Sequence, residues 1–160
     1  MELENLVSLT KKYINKEIGR SHWFKITQDL ISNYGECIHD KQWIHVDIDR
    51  AKNSQYKNTI AHGFLVISLL PFLTKDVKLP INKLNAKQKL NYGLDKVRFI
   101  APIFCNAEIQ CSTRLLDVTD QENNNVLVKV KNTIFAKNND SAKSKEKPVC
   151  TIESLILFCF

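Results

Sequence analysis

The stretch from Thr59 to about Leu73, TIAHGFLVISLLPFL, is apolar on nearly every side of a helical projection. A helix of that kind has no face to give to solvent, so the rest of the chain must cover it. It is too short to cross a membrane, and His62, Gly63, Ser68 and Pro71 interrupt it. Pro71 is expected to end or kink its last turn.

The second half of the chain supplies a cover. Leu90–Ile100 reads as an extended segment, broken at Ala101-Pro102. From Ala107 to Leu116, Ala107, Ile109, Cys111, Thr113 and Leu115 share one face, opposite Glu108, Gln110, Ser112 and Arg114. From Val126 to Lys137, Val126, Val128, Val130 and Ile134 oppose Lys129, Lys131 and Lys137, and Thr151–Phe160 makes a further strand. DQENNN and KNNDSAKSKEK are polar hairpin loops, so these strands should pair antiparallel. Helices followed by a run of strands predict an α+β fold, with one sheet wrapped around the central helix.

The first half is less regular. Leu3, Leu6, Val7, Tyr13, Ile14 and Ile18 predict an amphipathic helix over residues 1–18, stopped by Gly19. His22 to Ile26 suits a short strand. Thr27 suits the N-cap of a short helix that presents Leu30, Ile31 and Tyr34 on one face. Residues 35–51, GECIHDKQWIHVDIDRA, show no period and read as a loop leading into a helical turn near Asp49. No repeat or linker divides the chain, so 1–160 is read as a single domain.

Composition narrows the function classes. The chain has 160 residues and a net charge of +6, from 23 basic and 17 acidic side chains. That charge is compatible with nucleic acid, acidic lipid or a phosphate-bearing substrate, but the sequence carries no nucleic-acid-binding motif. The N-terminal residues lack the basic start and apolar core of a signal peptide. Five cysteines, odd in number and without CxxC spacing, fit neither a disulfide framework nor a zinc knuckle. A reducing cytoplasm is the expectation. Neither a nucleic acid nor a membrane is expected as a partner.

The densest chemistry lies in Asp40-Lys41-Gln42-Trp43-Ile44-His45-Val46-Asp47. Asp40 and His45 would diverge on a helix, where five residues turn through roughly 500°. In a loop they can converge. A carboxylate beside an imidazole can hold a water, one taking a proton while the other delivers one. The alternative is a solvated acidic loop with a satisfied histidine. Ala61-His62-Gly63 opens the apolar helix, where the first amides lack internal partners and suit an oxyanion. Gly63 could equally serve close helix–sheet packing. His39, Asp40, His45, Asp47, Asp49 and His62 could ligate a metal, but no HExxH or HxH frames them, and no metal or other cofactor is expected. Cys37 near His39 is expected to be a small buried hydrophobe and not a nucleophile. Trp23 and Trp43 suit packing or ligand stacking. Asn91-Tyr92-Gly93 and Arg98 share the extended segment, where Arg98 suits a phosphate or a salt bridge.

Taken in order, several of these pieces resemble a known family. They are Asp40 through Asp47, Arg50-Ala51, Thr59 through Leu65, Ser68-Leu69, Asn91 through Phe99, and Ala101-Pro102. The succession is similar to the MaoC-like dehydratases, in the nodulation-protein-N-like branch, relatives of (R)-specific enoyl-CoA hydratases. It covers roughly Ser21 to Asn106 well and the later strands loosely. The family's Asp-x-Asn-Pro-x-His motif reads here Asp40-Lys41-Gln42-Trp43-Ile44-His45. The resemblance implies a hot-dog fold, paired as a homodimer. It implies Asp40 and His45 as catalytic pair and the Gly63 amide as oxyanion donor. His62, Trp43, Tyr92 and Arg98 are then expected to line the substrate. Three positions depart from the family: His39 where many members have Gly, Pro71 where characterised hydratases carry a hydroxyl, and Asn106 where Gly is common.

The activity implied is addition of water to a trans-2-enoyl thioester, or its removal from a 3-hydroxyacyl thioester, carried by coenzyme A or acyl carrier protein. The alternatives are a hot-dog thioesterase and a non-catalytic acyl-thioester binding module. Lys41, Lys57 and Arg98 are candidates for the phosphates of coenzyme A, or are solvated charges.

Overall fold

A computed structural model describes residues 2–137 and 146–160. Helix α1 (Glu2–Lys11) buries Leu6 and Val7. It is shorter than the expected 1–18. The chain leaves it through Asn15 at φ 65°, and Glu17–Arg20 forms strand β1. Gly19 does not stop a helix. It lies in β1 beside a register shift, where a Cβ would come 2.9 Å from Val77 Cγ2. Of the segment His22–Ile26, only Phe24–Lys25 is extended, as β2.

Thr27 caps α2 (Gln28–Ile38) as its sequence suggests, its side chain accepting from the Leu30 amide at 3.2 Å. The aperiodic stretch after Gly35 is more ordered than a loop. α2 runs through it to Ile38, and two short helices follow, α3 (Trp43–Val46) and α4 (Ile48–Lys52). The periodicity was invisible there because α3 and α4 are each about one turn long, too short for an apolar stripe. Cys37 is exposed on α2, against the expectation of burial.

The central apolar helix also differs in detail. Ile60 is still extended, bridging to Phe104, and α5 begins at Gly63 (Gly63–Ser68). A break at Leu69 separates it from α6 (Leu70–Leu73). Pro71 is the physical reason, for it has no N–H to continue the helical ladder and fits only the first turn of a new helix.

Strands β3 (Gln88–Phe99), β4 (Glu108–Gln121), β5 (Asn125–Lys137) and β6 (Lys147–Cys159) build an antiparallel sheet in the order β1-β4-β5-β6-β3, with β2 also on β4. The alternation read from sequence sets the buried face: Ile109, Cys111 and Ile134 face inward with Cys150 and Ile152. They enclose Leu65, Val66, Leu70 and Leu73 of the central helix, the hot-dog arrangement. A second cluster packs α1 against Leu115, Val118, Val126 and Val128. Asn123 and Asn124 turn the β4–β5 hairpin with positive φ, a conformation Asn tolerates. Residues 138–145 of the other expected hairpin loop lie outside the described residues. Asn106, the position where the resemblance expects a glycine, stands at φ 67°, a left-handed backbone that asparagine tolerates.

Candidate active site

The site is assembled by the ends of short elements. α2 stops at His39, which adopts φ 59°, ψ 24°. Such a left-handed cap reverses the chain sharply and explains why a glycine suits this position. Gly35, one turn earlier, lets the returning chain come close: a Cβ there would lie 2.9 Å from the Asp40 carbonyl oxygen and 3.3 Å from the His62 ring. Asp40 Oδ1 then accepts from the Gln42 amide at 3.3 Å, setting the turn into α3.

α3 carries His45 into the interior. Its position is fixed from three sides. Ile60 N–H donates to the Ile44 carbonyl at 3.0 Å, and Ile60's own carbonyl lies 2.7 Å from His45 Nδ1. Gln28 Nε2 donates to the His45 carbonyl at 2.8 Å while Gln28 Oε1 accepts from the buried Thr59 hydroxyl. A carbonyl only accepts, so His45 Nδ1 carries the proton and Nε2 keeps its lone pair. Burial holds the His45 pKa below its usual value near 6.5, and the neighbouring His62 adds to this, while the Ile60 hydrogen bond and Asp40 oppose it. The imidazole is therefore neutral at neutral pH, with the Nε2 lone pair able to accept a hydrogen bond.

His62 ends the extended segment before α5. Its ring stacks on His45, centroids 3.7 Å apart and planes 25° apart. Its Nε2 lies 3.0 Å from the Asp40 carbonyl oxygen and 4.0 Å from Asp40 Oδ2. The same reasoning puts a proton on Nε2, leaving Nδ1 buried with no partner among the described residues. Tyr34 lies against His62, centroids 5.4 Å apart, and its hydroxyl is 3.3 Å from Ser68 Oγ. Asp40, His45 and His62 together offer one carboxylate oxygen and two ring nitrogens within 4.8 Å of one another. Stacked rings direct their lone pairs side by side and not at one point, so the trio suits proton transfer better than ligation of one cation.

Gly63 follows His62 as the first residue of α5, and with His45 it lines a cavity of about 380 Å³ bounded by Phe99 and Pro102. Its N–H meets no acceptor among the described residues. A Cβ on Gly63 would stand 2.7 Å from the Phe99 ring, which is 51% exposed and free to swing. The other expected residues do not join this cluster. Trp43 packs on Tyr56 and under the Arg50 guanidinium, 4.5 Å from its ring centroid. Tyr92, 63% exposed, and the exposed Arg98 lie on β3 and line neither this cavity nor the cluster. Gln28, Gly35 and Thr59 were not legible as site residues. Their signal is only spatial, since each acts on a residue far away in sequence.

A family model described as "MaoC like domain" matches residues 10–137. The chain belongs to the MaoC-like domain family. It is 34% identical to 3-hydroxyacyl-thioester dehydratase Z of Mycobacterium tuberculosis, over 89% of each chain. It is also 38% identical to nodulation protein N of Rhizobium leguminosarum bv. viciae, over 61% of this chain and 60% of that protein. Among solved structures it is similar to a MaoC-like dehydratase from Rhodospirillum rubrum, with TM-score 0.70 and 15% identity over 91% of this chain and 92% of the other. The matched residues include the whole cluster from Gly35 to Gly63. No described helix is long and apolar enough to cross a membrane.

Proposed function

We propose that this MaoC-like protein hydrates trans-2-enoyl thioesters and dehydrates 3-hydroxyacyl thioesters, with Asp40, His45 and Gly63 as its catalytic groups. The observation that carries this is the pairing of the Asp40 carboxylate with a neutral His45 whose Nε2 lone pair has no hydrogen-bond partner among the described residues. Two hydrogen bonds of about 2.8 Å meeting at one water span roughly 4.6 Å, within reach of this cluster. The dehydratase name of its M. tuberculosis relative supports the same chemistry.

In the hydration direction His45 Nε2 and Asp40 hold the water. Asp40 takes its proton as the oxygen bonds to the β-carbon. The C=C electrons move toward the thioester carbonyl, whose developing negative charge meets the Gly63 N–H and the positive end of α5. The proton is then delivered to the α-carbon, which restores the carboxylate. The substrate is an acyl-CoA or acyl-carrier-protein thioester.

The protein is further read as a homodimer. Among the described residues β3 is an edge strand, with one side on β6 and the other open, and it exposes Leu90, Tyr92 and Leu94. An open apolar edge is a template for pairing with a second copy. A reducing cytoplasm fits the five free thiols. Burial drives Cys111 and Cys150 up to about 11, which makes them inert packing groups.

The test is hydration of crotonyl-CoA and longer enoyl-CoAs, followed by loss of the enoyl absorbance. Turnover by the wild type and its loss in Asp40→Asn are expected. Absence of turnover at every chain length, or full activity in Asp40→Asn, overturns the reading.

A further inference from the structure

A second cavity, of about 520 Å³, opens between α6 and the concave face of the sheet. That is the size of a small-molecule site, roughly 300–1,000 Å³. Most of this face is Ile, Val, Leu and Cys. At the cavity, however, three neighbouring strands each turn a polar side chain inward: Thr113 (2% exposed), Asn132 (1%) and Ser154 (8%). Thr113 stands directly opposite Asn132 in the ladder, and Ser154 stands opposite Val130 on the next strand.

These groups bond to one another but do not exhaust their capacity. Thr113 Oγ1 donates to Asn132 Oδ1 at 2.8 Å, and Asn132 Nδ2 donates to Ser154 Oγ at 2.9 Å. The Ser154 O–H and the second N–H of Asn132 find no acceptor among the described residues. Asn82, on the 3-10 turn Pro80–Lys83, lines the same cavity. Its Nδ2 donates to the Val77 carbonyl at 3.0 Å, while its Oδ1 is buried with no partner among the described residues. Buried polar groups without partners are costly, so a cavity with two spare donors and a spare acceptor is built for a polar occupant. A hydrocarbon tail would satisfy none of them. A hydroxyl group accepts from the one kind and donates to the other.

The cavity also lies close to the catalytic cluster. Ile67 and Ser68 line it, one turn along α5 from Gly63. Ser68 meets the Tyr34 hydroxyl, and Tyr34 lies against His62. We propose that this cavity receives the tail of an acyl thioester that carries a hydroxyl group remote from the thioester, recognised by Ser154, Asn132 and Asn82. The inference rests on the acyl-thioester reading above and names the substrate class within it.

The experiment compares trans-2-octenoyl-CoA with derivatives hydroxylated at the terminal or penultimate carbon. In the wild type, kcat/KM for one hydroxylated derivative is expected to be about tenfold higher, the worth of one hydrogen bond in a water-excluded site. The ratio should fall toward one in Ser154→Ala and in Asn82→Leu, with circular dichroism and the melting temperature showing that each variant is folded. Calorimetric titration with the unreactive octanoyl-CoA and its hydroxylated counterparts reads the cavity without turnover, and the same preference is expected. Equal or weaker use of the hydroxylated chains by the wild type, or a preference that survives both variants, overturns the proposal. Preferential binding without turnover counts against the hydratase reading and for the cavity. Turnover without preference counts the other way.

Discussion

The imidazole of His62 lies face to face with that of His45, at 3.7 Å between centroids, and hydrogen-bonds the backbone of Asp40. One side chain thus touches both members of the proposed catalytic pair. Burial lowers the His45 pKa, and the His62 ring beside it adds to that effect, because a charge on one stacked ring would repel one on the other.

This gives the first prediction. His62→Phe keeps an aromatic ring against His45 and removes the titratable neighbour. The His45 pKa, followed by the NMR shift of its ring proton, should rise toward its ordinary value. No movement would mean that burial alone sets it.

The depressed His45 pKa also links stability to pH. Folded His45 binds its proton more weakly than the unfolded chain does, so acid favours unfolding. This contribution is fully present above the ordinary histidine value of about 6.5 and is lost as pH falls through the lower folded value. Melting temperatures from pH 8 to 5 should decline over that window, and less steeply in His45→Gln. The acid limb of kcat/KM should lie below the ordinary value too.

Gly63→Ala and Gly35→Ala separate two uses of glycine. The new methyl at 63 meets the far end of an exposed Phe99 ring, which can move aside. Thermal stability should change by less than about 1 kcal/mol while kcat falls, because the methyl crowds the approach to the amide. Unchanged kcat would remove Gly63 from the mechanism.

At residue 35 the methyl meets the Asp40 carbonyl, a backbone atom that cannot swing away. About 1–3 kcal/mol of destabilisation is expected from such overpacking, together with loss of activity as Asp40 and His62 are displaced. Chemical denaturation with an activity assay on the same samples decides it.

Asp40→Asn tests the general base directly. Among the described residues its carboxylate accepts only the Gln42 amide, in the turn, and an amide oxygen can take that role. The fold should persist while kcat drops by on the order of 10²–10⁴. The proposed dimer is checked separately: Leu94→Lys on the open β3 edge should shift the sedimentation coefficient to that of one copy.

The sequence by itself determined the broad plan. Period-two alternation in β4 and β5 fixed which side of the sheet is buried, and an apolar segment with no polar face had to lie at its centre. The Asp40–His45 spacing and the Gly63 position were readable through resemblance to the family. The tertiary structure alone decided what those residues can do. The His45 tautomer depends on the carbonyl of Ile60, the stack brings His62 to His45, and the polar floor joins Thr113, Asn132 and Ser154 from three strands. Periodicity reports how each residue faces its own element. Hydrogen-bond partners brought together from distant parts of the chain are fixed only when left-handed turns such as His39, the reset at Pro71 and the strand register close those elements onto one another.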